Sequence, residues 1–297
     1  MTMGFASKIQ HIYETKYKAL LLITLLLIPA ELGVIAYSKI TTGDYFHKGI
    51  SLKGGESYTF PVTTDIDIPE LQQFLSQQQP QADITIRGVS EFGKLTALII
   101  ESSDINEAEL LASVKSRGID TEHYSKESIG ASLGQVFFKQ TIIALLAAFA
   151  LMAIVVFITF RSLLPSSFVI LAVVSTTIET LAVVSLLNIP LSTAGIAAFL
   201  MLIGYSVDTD ILLTNRALSR KEGTLLSRIY SAMKTGMTMT LTAIVTTTIA
   251  YIFSDSDVIK QIMLILTIGL LFDMLNTWIQ NVAILRVYFA RKEAPRE

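Results

Sequence analysis

Two carboxylates set two residues apart inside an apolar stretch are the groups in this sequence best placed to do chemistry. They are Asp208 and Asp210, in the run 202–216, LIGYSVDTDILLTNR, at the end of an apolar segment that follows the breaker Asn188-Ile189-Pro190. A charged side chain within a membrane-length helix costs at least a few kcal/mol, and such residues mark ion or proton pathways. At ~1.5 Å per residue, Asp208 lies ~12 Å along the axis from Arg216, a residue suited to the interface, which places it near the middle of a ~30 Å hydrocarbon layer. The chemistry on offer is uptake and release of a proton, with loss and recovery of a charge. On an α-helix a two-residue offset is about 200°, so the two side chains point to nearly opposite faces. One faces the bundle interior; the other faces a neighbour, a partner subunit or a hydrated pocket.

Other polar residues in apolar runs compete for the same role. The third run carries Thr176, Thr177 and Glu179, and the fifth carries Thr235, Thr238, Thr240, Thr242, Thr246, Thr247 and Thr248. Threonines there bond back to their own helix and let helices approach, so packing accounts for most of them. In the last run Asp273, Asn276, Gln280 and Asn281 fall at i, i+3, i+7 and i+8, one helical face, which is either a water path or a hydrogen-bonded helix contact. Glu31 follows Pro29 off-centre in the first run, where a solvated or structural carboxylate is expected. The absence of cysteine removes disulfides and thiolate metal sites, and His11, His47 and His123 lie scattered outside the apolar runs. No metal centre and no cofactor is expected.

These residues need a membrane scaffold to position them. With 52% hydrophobic and 16% charged residues and a mean hydropathy of +0.56, a chain of 297 residues holds more apolar surface than a soluble core can hide. Lys8, Lys16 and Lys18 precede an apolar run over 19–37 that is too long for a signal peptide and lacks a small-x-small cleavage site, so it reads as an uncleaved anchor. Five more spans follow, over 141–160, 166–187, 192–214, 236–253 and 258–286. The expected fold class is therefore a polytopic α-helical membrane protein with six transmembrane helices. Its segments are a cytoplasmic N-terminus with the first helix over 1–39, a domain of soluble composition over 40–138, helices two to six over 139–290, and a cytoplasmic tail over 291–297. Within 40–138, strands are predicted over 55–62, 82–89, 95–101 and 120–124 and helices over 69–78 and 106–117, the βαββαβ order of an α+β ferredoxin-like domain. That domain carries 7 Lys/Arg against 14 Asp/Glu, which argues against nucleic acid and anionic lipid as partners. With the N-terminus cytoplasmic, short segments on that side hold 13 of the 23 Lys/Arg. The positive-inside bias then places both termini in the cytoplasm and 40–138 outside.

The runs GYSVDTDILLTNR (204–216), LKGG (52–55), SIGASLG (128–134) and FDMLNTWIQN (272–281) resemble the archaeal form of SecF subunits of the SecDF protein-export complex. The G-x-x-V-D core alone is shared with the broader resistance-nodulation-division transporter superfamily. The resemblance implies a non-enzymatic, proton-driven subunit of the plasma membrane. In this role it pairs with SecD and helps pull or release unfolded polypeptide on the outer side of the Sec translocon channel. It puts Asp208 in the place of the proton-carrying carboxylate of SecD-like halves, whereas the Asn-Asp of bacterial SecF subunits would set its acid on Thr209. The implied proton relay is thus Asp208 and Asp210, with Asp208 favoured, and Thr238, Thr242, Asp273 and Glu179 are the candidate polar partners. Thr235 stands where bacterial subunits carry an arginine. Two other readings stay open: a non-conducting scaffold that stabilises SecD or the translocon, and half of a proton-coupled exporter of small molecules or lipids. In the motor reading the domain moves as a rigid body on glycine hinges at 49–55 and 130–134.

Overall fold

A computed structural model describes residues 13–62, 66–91, 94–219, 223–254 and 256–293. In chain order the elements are α1 (Tyr17–Thr42), a short α2 (Ile50–Lys53), β1 (Gly55–Pro61), α3 (Ile68–Gln78), β2 (Ile84–Glu91), β3 (Lys94–Ser102), α4 (Glu107–Ser116) and β4 (Ser125–Ile129). The long helices α5 (Ala131–Phe160), α6 (Leu163–Leu186), α7 (Thr193–Ser219), α8 (Leu225–Phe253) and α9 (Asp257–Leu275) follow. A π-helical turn, Asn276–Asn281, then carries α9 into α10 (Val282–Glu293). Six of these helical stretches are long and apolar enough to cross a membrane: α1, α5, α6, α7, α8 and the continuous 257–291.

Local sequence sets the breaks between them. Arg161 (φ 49°) and Asn188 (φ 51°) take left-handed backbone at the ends of α5 and α6, a conformation that asparagine adopts more readily than most residues. Thr224 caps α8 by accepting from the Ser227 N–H at 3.3 Å. The helices extend beyond their apolar runs. α5 starts at Ala131, so the expected domain edge at 138 falls inside a helix, and α8 starts at Leu225 rather than 236. Polar residues at a membrane interface continue a helix without adding to its hydropathy.

The four strands form one antiparallel sheet in the order β2-β3-β1-β4. Alternate residues of the strands point to one face. There Tyr58, Phe60, Ile84, Ile86, Leu98 and Ile100 pack on Leu71, Leu75, Leu110 and Val114 of α3 and α4. The last strand is a correction: it is 125–129, not 120–124. Asp120 instead accepts the Glu122 N–H at 2.8 Å in a turn. β4 reads SKESI and is exposed along most of its length, so no apolar alternation marks it.

Glycines build the connection between sheet and helices. Gly54 (φ +83°) and Gly55 (φ +134°) use backbone that side chains rarely adopt. A Cβ on Gly134 would stand 2.4 Å from the Gly54 nitrogen, and one on Gly54 2.5 Å from the Ala131 Cα. The glycines expected as hinges thus meet in a close backbone crossing. A second fastening joins the lead into the sheet to the α6–α7 turn. Gly49 N–H donates to the Leu191 carbonyl at 2.8 Å, Leu191 N–H to the His47 carbonyl at 2.7 Å, and Thr193 N–H to Ser51 Oγ at 3.0 Å. Beneath it Leu52 is buried with Val184, Leu191, Ile196, Phe199, Leu202 and Ile265.

Candidate functional site

α7 turns one face inward and the other outward, as the two-residue offset requires. The inward carboxylate is Asp210, 0% exposed, and the outward one is Asp208, which lies on the exposed face with Met201, Gly204 and Tyr205. The carboxylate favoured from the resemblance is thus the outward one, and the other is buried. The reason is packing: Leu202, Ser206, Thr209, Asp210 and Leu213 recur at helical spacing and form the buried stripe, and Asp208 falls opposite it.

Asp210 meets the end of α9 and the π-turn. Asn281 Nδ2 donates to Asp210 Oδ1 at 2.8 Å, and Asp210 Oδ2 is buried without a hydrogen-bond partner. Asp273, 1% exposed, accepts from Thr209 Oγ1 at 3.0 Å through Oδ2 and from Thr277 Oγ1 at 3.4 Å through Oδ1. The two carboxyl groups act on one another electrostatically, and Thr277 adjoins both. Asp273 and Asp210 therefore form one site drawn from two helices.

A second polar contact joins the π-turn to α6. Asn276 Nδ2 donates to Glu179 Oε2 at 2.5 Å and to Thr176 Oγ1 at 3.0 Å, and Gln280 Nε2 donates to Ser175 Oγ at 3.1 Å. Five residues of the six-residue turn are buried: Asn276, Thr277, Trp278, Gln280 and Asn281. A π-turn carries one more residue per hydrogen-bonded ring than an α-turn and occurs frequently at functional sites. Here it spreads its polar side chains over two neighbours, Asn276 and Gln280 toward α6 and Asn281 toward α7. The regular α-helical stripe read from the sequence underestimates that spread.

Of the candidate residues, Asp210, Asp273 and Glu179 come to this interior, though Glu179 meets Asn276 rather than an aspartate. Thr238 and Thr242 do not. Both are exposed on α8 and donate to carbonyls of their own helix, Lys234 and Thr238 respectively. The residues that sequence reasoning missed are Thr209 and Thr277, hydroxyls at buried helical positions among many threonines, which only their placement beside Asp273 distinguishes. Among the described residues no group of three or more His, Cys, Asp and Glu could hold a metal ion.

Residues 109–291 match the family described as protein export membrane protein SecD/SecF, C-terminal. The chain is 35% identical over 286 residues to the protein-export membrane protein SecF of Pyrococcus furiosus, covering 96% of each chain. It is 36% identical over 263 residues to that of Methanocaldococcus jannaschii, covering 84% of this chain and 89% of the relative. Its fold is similar to the crystal structure of SecDF, a translocon-associated membrane protein, from Thermus thermophilus. That match has a TM-score of 0.71 at 18% identity and covers 93% of this chain and 38% of that longer one.

Proposed function

The chain belongs to the SecD/SecF family of protein-export membrane proteins, as a SecF subunit, and on that footing we propose that it is the proton-coupled half of a SecD–SecF assembly that assists polypeptide translocation. The observation that carries the reading is Asp210, fully buried, with one oxygen unpartnered, beside a second buried carboxyl group on another helix. Two bare charges side by side in a low-dielectric interior repel strongly. One proton on the pair removes that repulsion and turns a carboxylate, which only accepts hydrogen bonds, into a donor. The Thr277 hydroxyl beside both groups serves either state. Gain and loss of this proton changes how firmly α7 is held to α9 and the π-turn, which is the local event a two-state motion needs.

The remaining roles follow from placement. Asp208 is exposed on the outward face of α7, within a membrane-length helix, while the exposed threonines of α8, Thr235, Thr238, Thr242 and Thr246, donate to carbonyls of their own helix. Left to lipid, the Asp208 carboxylate is costly, and a SecD partner with six spans of its own covers it. The sheet domain, read as ferredoxin-like from its βαββαβ order, stands outside the membrane and meets the unfolded chain as it leaves the translocon channel. Both termini are cytoplasmic in this reading, with 40–138 outside.

The test is the dependence of export on the proton gradient in native-lipid vesicles. Asp210→Asn and Asp273→Asn are expected to abolish gradient-driven export while leaving assembly intact. The scaffold reading is favoured by one observation, that Asn281, Thr209 and Thr277 tie both acids into helix contacts. Normal gradient-driven export in both variants would establish the scaffold and end the motor reading.

A further inference from the structure

A separate polar seam runs between α1 and α6 and ends on the same π-turn. At the sheet-domain end Ser185 Oγ donates to Ser38 Oγ at 3.4 Å, and Ser38 Oγ to the Asp44 carbonyl at 3.5 Å. Six residues earlier on α6 and seven earlier on α1 stand Glu179 and Glu31, ~10 Å deeper at ~1.5 Å per residue. Glu179 is 1% exposed, and Glu31 is half-buried with Oε2 lacking a hydrogen-bond partner. Glu31 acts on Glu179 electrostatically across the seam, and it is the one titratable group that does so among the described residues. From the π-turn Glu179 meets Asn276, which has no charge; from its own helix Thr176 shares that amide.

The hydrogen-bond count at this place is unbalanced. Asn276 is 1% exposed, its Nδ2 serves Glu179 and Thr176, and its Oδ1 is buried without a donor. A buried acceptor left unmet is destabilising. A proton on Glu179 supplies a donor: a half-turn of the Asn276 amide lets Oδ1 accept from the carboxyl O–H, in exchange for the Nδ2 bonds to Glu179 and Thr176. The site is thus arranged for two protonation states of one carboxyl group.

We propose that Glu31 and Glu179 form a second proton-exchange site, opening toward the sheet-domain end of the α1–α6 seam and connected to Asp210 and Asp273 through the π-turn. This rests on the proton-coupled reading above. In the exchange step the O–H bond on Glu31 breaks, water between the two groups relays the proton, and an O–H bond forms on Glu179, so that the pair holds one negative charge throughout. Glu31, the less buried of the two, trades its proton with water. Because Asn276 and Asn281 open and close the same π-turn, a change at Glu179 is felt at Asp210.

Infrared difference spectroscopy on the full-length chain, purified in native lipid with the chains that accompany it, separates carboxyl from carboxylate as pH is stepped. The expected result is a carboxyl C=O band lost in Glu179→Gln, retained in Glu179→Asp, displaced along the pH axis in Glu31→Gln, and still present in Asp210→Asn. A spectrum unchanged in both glutamine variants overturns the proposal, and so does a band lost only with Asp210 or Asp273. Failure of the motor reading looks different: the Glu179 band remains while Asp210→Asn and Asp273→Asn both export normally.

Discussion

Asn281 donates to one oxygen of Asp210, and the other has no close hydrogen bond among the described residues, with the Thr277 hydroxyl adjoining the group. Asn281→Leu therefore leaves a buried carboxyl group with no strong donor, and a loss of about 1–3 kcal/mol is expected. Thermal unfolding in detergent checks it. Adding Asp210→Asn to Asn281→Leu should recover part of the loss, since the stranded group is then neutral. A second residue-scale prediction belongs to the sheet domain. Lys126 Nζ meets Glu56 Oε1 at 2.9 Å and Glu107 Oε2 at 2.7 Å, tying edge strand β4 to β1 and α4. The Tyr58 hydroxyl and then Lys126 hold Glu56 below its ordinary value of 4.5, and Lys126 and then Tyr124 do the same for Glu107. The two carboxylates hold the Lys126 ammonium above its ordinary 10.5. Lowered acids stabilise above their ordinary value and lose that contribution as pH falls through the folded value; a raised lysine stabilises below 10.5 and loses it above. The pinning of β4 should thus be flat between about pH 5 and 10 and weaken on either side. Hydrogen exchange of the 125–129 amides, corrected for intrinsic rates, is expected to show this. The double variant Glu56→Gln, Glu107→Gln should flatten the acid limb.

Glycines divide the elements into those that touch and those that wait for a partner. At Gly134 an added methyl meets backbone on the far side, which cannot rotate away. Gly134→Ala should cost about 1–3 kcal/mol, as overpacking does. Gly236 meets Trp278 and Gly269 meets Leu202, so α8 and α7 close on the last span through single glycines. Gly204 differs, with nothing within 4 Å of its Cβ direction and Asp208 one turn along the same exposed face. Gly204→Leu is expected to leave the melting of the isolated chain unchanged and to reduce co-purification of its membrane partner. Unchanged co-purification would move the partner interface to another face.

At the scale of the whole molecule, the sheet domain is fastened at two places, the glycine crossing with α5 and the strap to the α6–α7 turn. Leu52 and Leu191 join that strap to the packed core of α6, α7 and α9, so a shift of α7 reaches the sheet without a loose hinge. Between the open face of the sheet and the start of α9 lie adjoining cavities of about 470 and 440 Å³, sharing Arg87, Ile99, Asp257 and Gln261. This gap, rather than the strap, is where relative motion has room. The chain has no cysteine, so engineered disulfides are unambiguous. Ser51→Cys with Thr193→Cys joins parts that already touch and should leave export unchanged. Arg87→Cys with Asp257→Cys closes the gap and should block it. Equal export from both crosslinked forms would argue for a fixed sheet domain.

The sequence by itself determined the six spans, the βαββαβ order and which acids lie within the spans, because hydropathy, alternation and an intramembrane charge are all local signals. It also determined that Asp208 and Asp210 face apart, since helical periodicity alone requires it. Which of them faces inward was not legible, because that depends on how α7 is rolled against α6 and α9, a matter of packing between residues far apart in the chain. The same holds for β4, whose SKESI carries no pattern and which is a strand only because β1 offers it an edge. The π-turn is the clearest case. Its six residues read as ordinary helix, and it is their tertiary hydrogen bonds, Asn276 to Glu179, Gln280 to Ser175 and Asn281 to Asp210, that reward an extra residue in the turn. Sequence supplied the groups, and the tertiary structure decided which oxygens meet.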